Sequence, residues 1–280
     1  MSTFFTKNEV KIRLNKSINK SIGLVPTMGS LHEGHLSLIK TATKENDLVW
    51  VSIFLNPTQF DKKNDLINYP KNLNKDIKLI RSISNNINIF SPSEFEMYGN
   101  KIISKVYNFK NLDSVLEGKY RKNHFNGVAT IVSKLLHLFV PKNVYFGEKD
   151  YQQVLIIKDL INIEKIKVKL VLCPTVRETN GLALSSRNKL LTSKQKNSSS
   201  IIYKSLKYIA ENFDKSDFKS IRKNIINKIE EIKSFKVEYL EIADATTLEI
   251  CDKINPKKSH RAFICVSINK VRLIDNILLN

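Results

Sequence analysis

Cysteine is scarce in this chain. The 280 residues hold three, Cys173, Cys251 and Cys265, an odd number with no C-x-x-C spacing. That argues against a disulfide framework or a zinc ribbon, and reduced core thiols in a reducing, cytoplasmic compartment are expected. Long apolar runs are missing too: no stretch approaches the ~18 uninterrupted apolar residues of a membrane helix. The start, Met1-Ser2-Thr3-Phe4-Phe5-Thr6-Lys7, lacks the basic-then-apolar order of a secretory signal. A soluble protein with no membrane partner is the expectation. Arginine is thin, with eight of the 46 basic residues, the other 38 being lysine. A net charge of +19 ordinarily points towards nucleic acid. Here, though, the lysines are spread evenly among Asn and Ile, with clusters no longer than pairs such as Lys257-Lys258. The better reader of phosphate geometry, arginine, is the one in short supply. The charge reads as a drift of the whole composition, so no nucleic acid is expected as partner.

Familiar nucleotide and metal signatures are absent as well. No G-x-G-x-x-G occurs. Gly29 to Gly34 has the spacing of a Walker loop, but His35-Leu36 stands where Lys-Ser/Thr should follow. His32-Glu33-Gly34-His35 brings its second histidine one position too early for the H-E-x-x-H zinc helix. What is present is the stretch Pro26-Thr27-Met28-Gly29-Ser30-Leu31-His32-Glu33-Gly34-His35. It follows the apolar run Ser21 to Val25 and opens a segment with Leu36, Leu38, Ile39 and Ala42 at helical spacing. The order is strand, glycine turn, helix. Amides at a helix start carry a partial positive charge that favours an anion, and glycine lets a ligand approach the backbone. His32 and His35, three apart, share a face and can donate to one group. A histidine pair that only decorates a helix is the plain alternative; its place between two glycines, behind a strand, favours a phosphate site. The H-x-G-H tetrad resembles the signature of the nucleotidyltransferase superfamily, whose members cleave ATP between the alpha and beta phosphates.

The first 175 residues alternate strand-like and helix-like segments. Strands are expected at Gly23–Pro26, Leu48–Leu55, Ile87–Phe90, Asn143–Phe146 and Val168–Leu172, and helices at Gly34–Asn46, Asn72–Ser82, Gly127–Phe139 and Tyr151–Ile161. This is the pattern of an α/β, Rossmann-like doubly wound parallel sheet, whose ligands bind beyond the carboxyl ends of the strands. After Pro174 the pattern changes to two lysine-rich helices, Ser193–Asn212 and Phe218–Lys233, then strands at Val237–Ile242, Ala262–Ser267 and Val271–Ile274. Two domains are expected: residues 1–175 binding nucleotide, and 176–280 as a smaller C-terminal α+β lid.

Two further motifs fall where ligands bind. Gly147-Glu148-Lys149-Asp150 lies at a strand-to-helix junction, with Gln153 one turn on; Lys149 is a compact charge for a triphosphate, and Asp150 a cap, a ribose ligand or a metal ligand. Leu184-Ser185-Ser186-Arg187 offers two hydroxyls and a guanidinium able to clamp phosphate oxygens. Alone, each reads as helix-capping chemistry. In sequence order they are joined by Ser52-Ile53-Phe54-Leu55-Asn56-Pro57-Thr58-Gln59-Phe60, His124-Phe125-Asn126-Gly127-Val128-Ala129-Thr130 and Arg272-Leu273-Ile274-Asp275-Asn276.

The six motifs together closely resemble the pantoate–β-alanine ligase family over nearly the whole chain. The resemblance implies ATP-dependent condensation of (R)-pantoate with β-alanine through a pantoyl-adenylate, with Mg²⁺, in a cytoplasmic homodimer. Matched position by position, it implies an ATP site of Met28, Gly29, Ser30, Leu31, His32, Glu33, Gly34 and His35, with Gly147, Glu148, Lys149, Asp150, Val176, Leu184, Ser185, Ser186 and Arg187. His35 falls at the family's proton-donor position, and His32, Lys149, Ser185, Ser186 and Arg187 join it as catalytic candidates. Gln59 and Gln153 match the pantoate-holding residues, Gln59 also lying near β-alanine. The ligands of the Mg²⁺ are left unassigned. Departures are local: Arg121-Lys122-Asn123-His124-Phe125 replaces Arg-Pro-Gly-His-Phe, Tyr69-Pro70-Lys71 replaces Tyr-Pro-Arg, and the glycine before the Arg-Leu-Ile-Asp-Asn motif is missing near Asn269-Lys270. The alternatives are a sister nucleotidyltransferase with another acceptor and a lysine-rich nucleic-acid-binding protein.

Overall fold

The computed structural model describes residues 2–61, 63–213, 217–253 and 255–279; Met1 and Asn280, the outer bounds of the two expected domains, lie outside them. In chain order the first part runs β1 (Thr3–Phe4), α1 (Lys7–Asn15), β2 (Ile22–Thr27), α2 (Glu33–Glu45), β3 (Leu48–Ile53), α3 (Lys63–Ile67), α4 (Leu73–Arg81) and β4 (Ile87–Phe90). Then come α5 (Glu94–Tyr98), α6 (Glu117–Tyr120), α7 (His124–Phe139), β5 (Asn143–Gly147), α8 (Tyr151–Ile163) and β6 (Lys169–Cys173). These six strands form one sheet of order β1-β4-β3-β2-β5-β6 with every pair parallel. Strand order reverses between β2 and β5, the mark of a doubly wound sheet.

The reason lies in the strands. Along β3, alternate side chains point to opposite faces. Leu48 and Trp50 join a core with residues of α1, α7 and α8, while Val49, Val51 and Ile53 join another with α2 and α4. A strand apolar on both faces is stable only between two helical layers.

The remainder holds α9 (Ser193–Ser198), α10 (Ser200–Asn212), α11 (Phe218–Glu230), β7 (Phe235–Asp244), β8 (His260–Ile268) and β9 (Val271–Leu279). The last three form an antiparallel sheet, β7-β8-β9. Alternation again divides the faces. Leu240, Ile242, Ile264 and Val266 pack on α10 and α11, whereas Tyr239, Ala243, Phe263 and Cys265 pack with Leu116 and Leu155 of the first part. The C-terminal sheet is thus a middle layer.

Most expected elements occur within a residue or two. The expected helix Ser193–Asn212 is instead two, broken at Ser199, whose buried hydroxyl bonds back to the Gln195 carbonyl at 2.7 Å. β3 stops at Ile53, not Leu55, because Pro57 starts a 3₁₀ turn, Pro57–Gln59. β9 runs on to Leu279 through Asp275 and Asn276, both buried.

Candidate active site

β2 pairs with β3 over six residues but with β5 over two, Gly23 with Asn143 and Leu24 with Val144. Beyond these the strands part, and a cavity of about 220 Å³ lies at their carboxyl ends. This is the crevice that strand-order reversal creates.

The turn after β2 supplies one wall. Gly29 has φ +79°, and a Cβ there would press on the carboxylate of Asp76, at 3.0 Å. Asp76, on the first turn of α4 and buried, accepts the Ser30 and Leu31 amides, each at 2.8 Å. Those two amides are held from behind by a carboxylate instead of facing the crevice. His32 caps α2, its Nδ1 accepting the Gly34 amide at 3.2 Å. With Nδ1 an acceptor, the neutral ring carries its proton on Nε2. The His32 and His35 ring centroids are 4.1 Å apart. Burial, reinforced by His35 and the Lys149 charge, lowers the His32 pKa to about 2; burial and the same lysine lower that of His35 to about 4. Both rings are neutral donors at physiological pH.

Lys149 faces them from the turn after β5. Its ammonium is 3.1 Å from Asp150. The third wall is the segment Leu184 to Arg187. Ser186 Oγ donates to the Ser30 carbonyl at 3.0 Å, and Lys189 Nζ donates to Ser30 Oγ at 2.8 Å. Arg187 pairs with Asp65 of α3 at 3.1 Å. Lys149 and Arg187 therefore rest on carboxylates that a phosphate can replace.

Beside these lies a less charged recess. Gln59 is buried on the 3₁₀ turn, its carbonyl oxygen accepting from Asn56 Nδ2 at 3.1 Å and its amide donating to Met28 Sδ at 2.7 Å. A thioether is a weak acceptor, easily exchanged for a hydroxyl or carboxylate. The turn sits against α7 because residue 127 is glycine: a Cβ there would lie 2.3 Å from the Thr58 carbonyl oxygen. His124 is buried and donates through Nδ1 to the main-chain carbonyl of Gln59 at 2.8 Å; burial and Arg121 hold its pKa well below the usual value.

Of the expected residues, Met28, His32, Gly34, His35, Gln59, Gly147, Lys149, Asp150, Gln153, Val176, Leu184, Ser185, Ser186 and Arg187 line this one cavity. Gly29, Ser30, Leu31, Glu33 and Glu148 do not. Glu33 points outward to Lys40 at 3.9 Å, and Glu148 is taken by Arg261 at 2.7 Å. Sequence reasoning missed Asp76 and Lys189, which hold the turn, and Arg121 and His124, which line the cavity. The His-Phe-Asn-Gly run signalled the last; nothing in the sequence singled out the first two.

Fold and site together are those of an H-x-G-H nucleotidyltransferase: a doubly wound sheet, a histidine pair after one strand and a lysine after the strand across the reversal. Within that class the comparisons are specific. The family model for pantoate-beta-alanine ligase matches residues 3–278, and the chain belongs to that family. A pantothenate synthetase of Christiangramia forsetii is 47% identical over 265 residues, 95% of this chain and 94% of the relative. One from Flavobacterium psychrophilum is 41% identical over 281 residues, covering 100% of both chains. Among solved structures, pantothenate synthetase from Thermus thermophilus superposes with a TM-score of 0.91 at 34% identity, over 100% of this chain and 99% of that one. A pantoate-beta-alanine ligase from Francisella tularensis, complexed with beta-gamma ATP and beta-alanine, gives a TM-score of 0.82 at 39% identity, over 99% and 97%.

Proposed function

We propose that this cavity is where the ligase joins (R)-pantoate to β-alanine with ATP, by way of a pantoyl-adenylate and with release of pyrophosphate and AMP. The observation that carries it is the grouping, around one crevice, of two neutral histidines, Lys149 and the Ser185–Arg187 segment beside the uncharged amides of Gln59 and Gln153. Charge for a triphosphate stands next to a recess that orients a carboxylate without protonating it.

The chemistry needs no protein nucleophile. A carboxyl with pKa near ~4 is ionised at neutral pH, so pantoate attacks the alpha phosphorus as it is. It needs alignment and relief from the repulsion of the phosphates. Gln59 and Gln153 supply the first. Lys149 and Arg187 supply the second as they exchange Asp150 and Asp65 for phosphate oxygens, and His32 and His35 donate to charge that grows on the bridging oxygen. In the second step β-alanine attacks as free amine; with a pKa near ~10, about one molecule in 10³ is competent at pH 7.

Mg²⁺ fits as an ion carried in by the triphosphate. Among the described residues no cluster of three His, Cys, Asp or Glu could cage a metal, and Asp150 is the carboxylate lining the cavity. Asp150 would be the residue to hold such an ion beside the triphosphate, and the ion would supply charge neutralisation for the phosphates. A homodimer is proposed on family kinship, with sedimentation as its test. A cytoplasmic location is proposed on the three free thiols; no helix among the described residues is long and apolar enough to cross a membrane.

The decisive measurement mixes protein, ATP, Mg²⁺ and labelled pyrophosphate. Label should enter ATP only when pantoate is added. Exchange without pantoate would sink this reading and favour a sister enzyme with another acceptor.

A further inference from the structure

β9 places two polar residues side by side in the interior, Asp275 and Asn276, each 4% exposed. Buried polar groups keep their hydrogen bonds, so their partners show what they hold. The Asn276 amide donates to two successive carbonyls, Glu148 at 3.0 Å and Lys149 at 2.8 Å. Its own oxygen accepts from Arg261, whose other nitrogen reaches Glu148 Oε1 at 2.7 Å and whose guanidinium lies 3.9 Å over the Tyr151 ring. One carboxamide and one guanidinium thus grip the turn that carries Lys149, by main chain and side chain.

That turn has little to hold it from within. Glu148–Asp150 is a single 3₁₀ turn of three residues, a geometry with poor internal hydrogen bonds. A Cβ on the preceding Gly147 would meet nothing within 4 Å, so nothing packs there either. The side-chain hydrogen bonds to the turn's Glu148 and Lys149 carbonyls come from β9. Asparagine suits the task because its two N–H groups match two neighbouring carbonyls. Aspartate would turn an oxygen towards them, and leucine would leave both unpaired.

We propose that Asn276, braced by Arg261, is a positioning residue that fixes the backbone from which the Lys149 ammonium reaches the triphosphate. The proposal rests on the reading above, that Lys149 acts on ATP. The test is a double-mutant cycle of Asn276→Leu with Lys149→Ala, read in both half-reactions. Asn276→Leu should slow pantoate-dependent pyrophosphate exchange by roughly 10–100-fold, the scale of a small misplacement at a reacting centre. Aminolysis of preformed pantoyl-adenylate should change by less than about threefold. On the Lys149→Ala background Asn276→Leu should cost nothing more, since the group it positions is gone. The same loss on both backgrounds, or equal slowing of the two half-reactions, overturns the positioning role. Should Asn276→Leu fail to fold, Arg261→Lys loosens the same grip while keeping the charge. Its smaller exchange loss should likewise vanish beside Lys149→Ala, and persistence there overturns the proposal. Lys149→Ala that exchanges normally removes the reading beneath the proposal and so overturns both.

Discussion

The two site histidines share one chemistry but not one task. His32 uses Nδ1 to cap α2, so its role is partly structural; His35 sits inside the helix, its buried Nδ1 without a partner. His35→Ala is therefore expected to fold normally and to slow adenylate formation by roughly 10²–10³-fold, the usual loss for one preorganised donor. Aminolysis of the adenylate should suffer far less, because no pyrophosphate leaves in that step. Rapid-quench timing of the two steps decides it, and equal slowing would refute the donor role. Since the His35 pKa is lowered to about 4, the rate of adenylate formation should show no histidine-dependent fall as pH drops from about 7.5 to about 5.5. A break near pH 6.5 that disappears in His35→Ala would contradict neutral-donor chemistry. At Gln59, removal of an amide resting on a thioether should raise the KM for pantoate far more than that for ATP in Gln59→Ala. Parallel changes in both would count against the pantoate assignment. These residues were legible because each sits in a short motif of unusual chemistry. Asp76 was not, since an aspartate in the first turn of a helix reads as ordinary capping; only folding reveals that its carboxylate faces another loop.

Among the elements, the parallel strands were legible from their apolar runs between turn residues. The capping box Thr6-Lys7-Asn8-Glu9 marks the start of α1, a helix too polar to show apolar periodicity. The polar pair Asp275-Asn276 made β9 look shorter than it is, because burial of paired polar side chains leaves no apolar trace in sequence. The histidine turn depends on a neighbouring helix in the same hidden way. α4 presents Asp76 to two amides, and Ser186 and Lys189 tie Ser30 from the other side. Asp76→Asn keeps one acceptor but sets a donor against the second amide. It should raise the KM for ATP about tenfold and destabilise the protein by about 1–3 kcal/mol, the cost of an unsatisfied buried group. Steady-state kinetics with urea unfolding checks both, and an unchanged KM for ATP would show that the clamp does not shape the nucleotide site.

On the scale of the whole molecule, the parts of the crevice are drawn from distant stretches of chain. Lys149 and Asn276 are 127 positions apart, and Ser30 and Ser186 are 156 apart. Contacts of that separation form late in folding, because the loops they close must be ordered first. After dilution from urea, far-UV dichroism should recover before a fluorescent ATP analogue gains its bound signal; simultaneous recovery in stopped-flow traces would contradict this order. The grip of β9 on the lysine turn then acquires a meaning in the life of the chain. A ligand stabilises only the conformations that bind it. ATP would shelter the finished enzyme from proteases but give nothing to a half-folded chain whose last strand has yet to dock, however complete its parallel sheet.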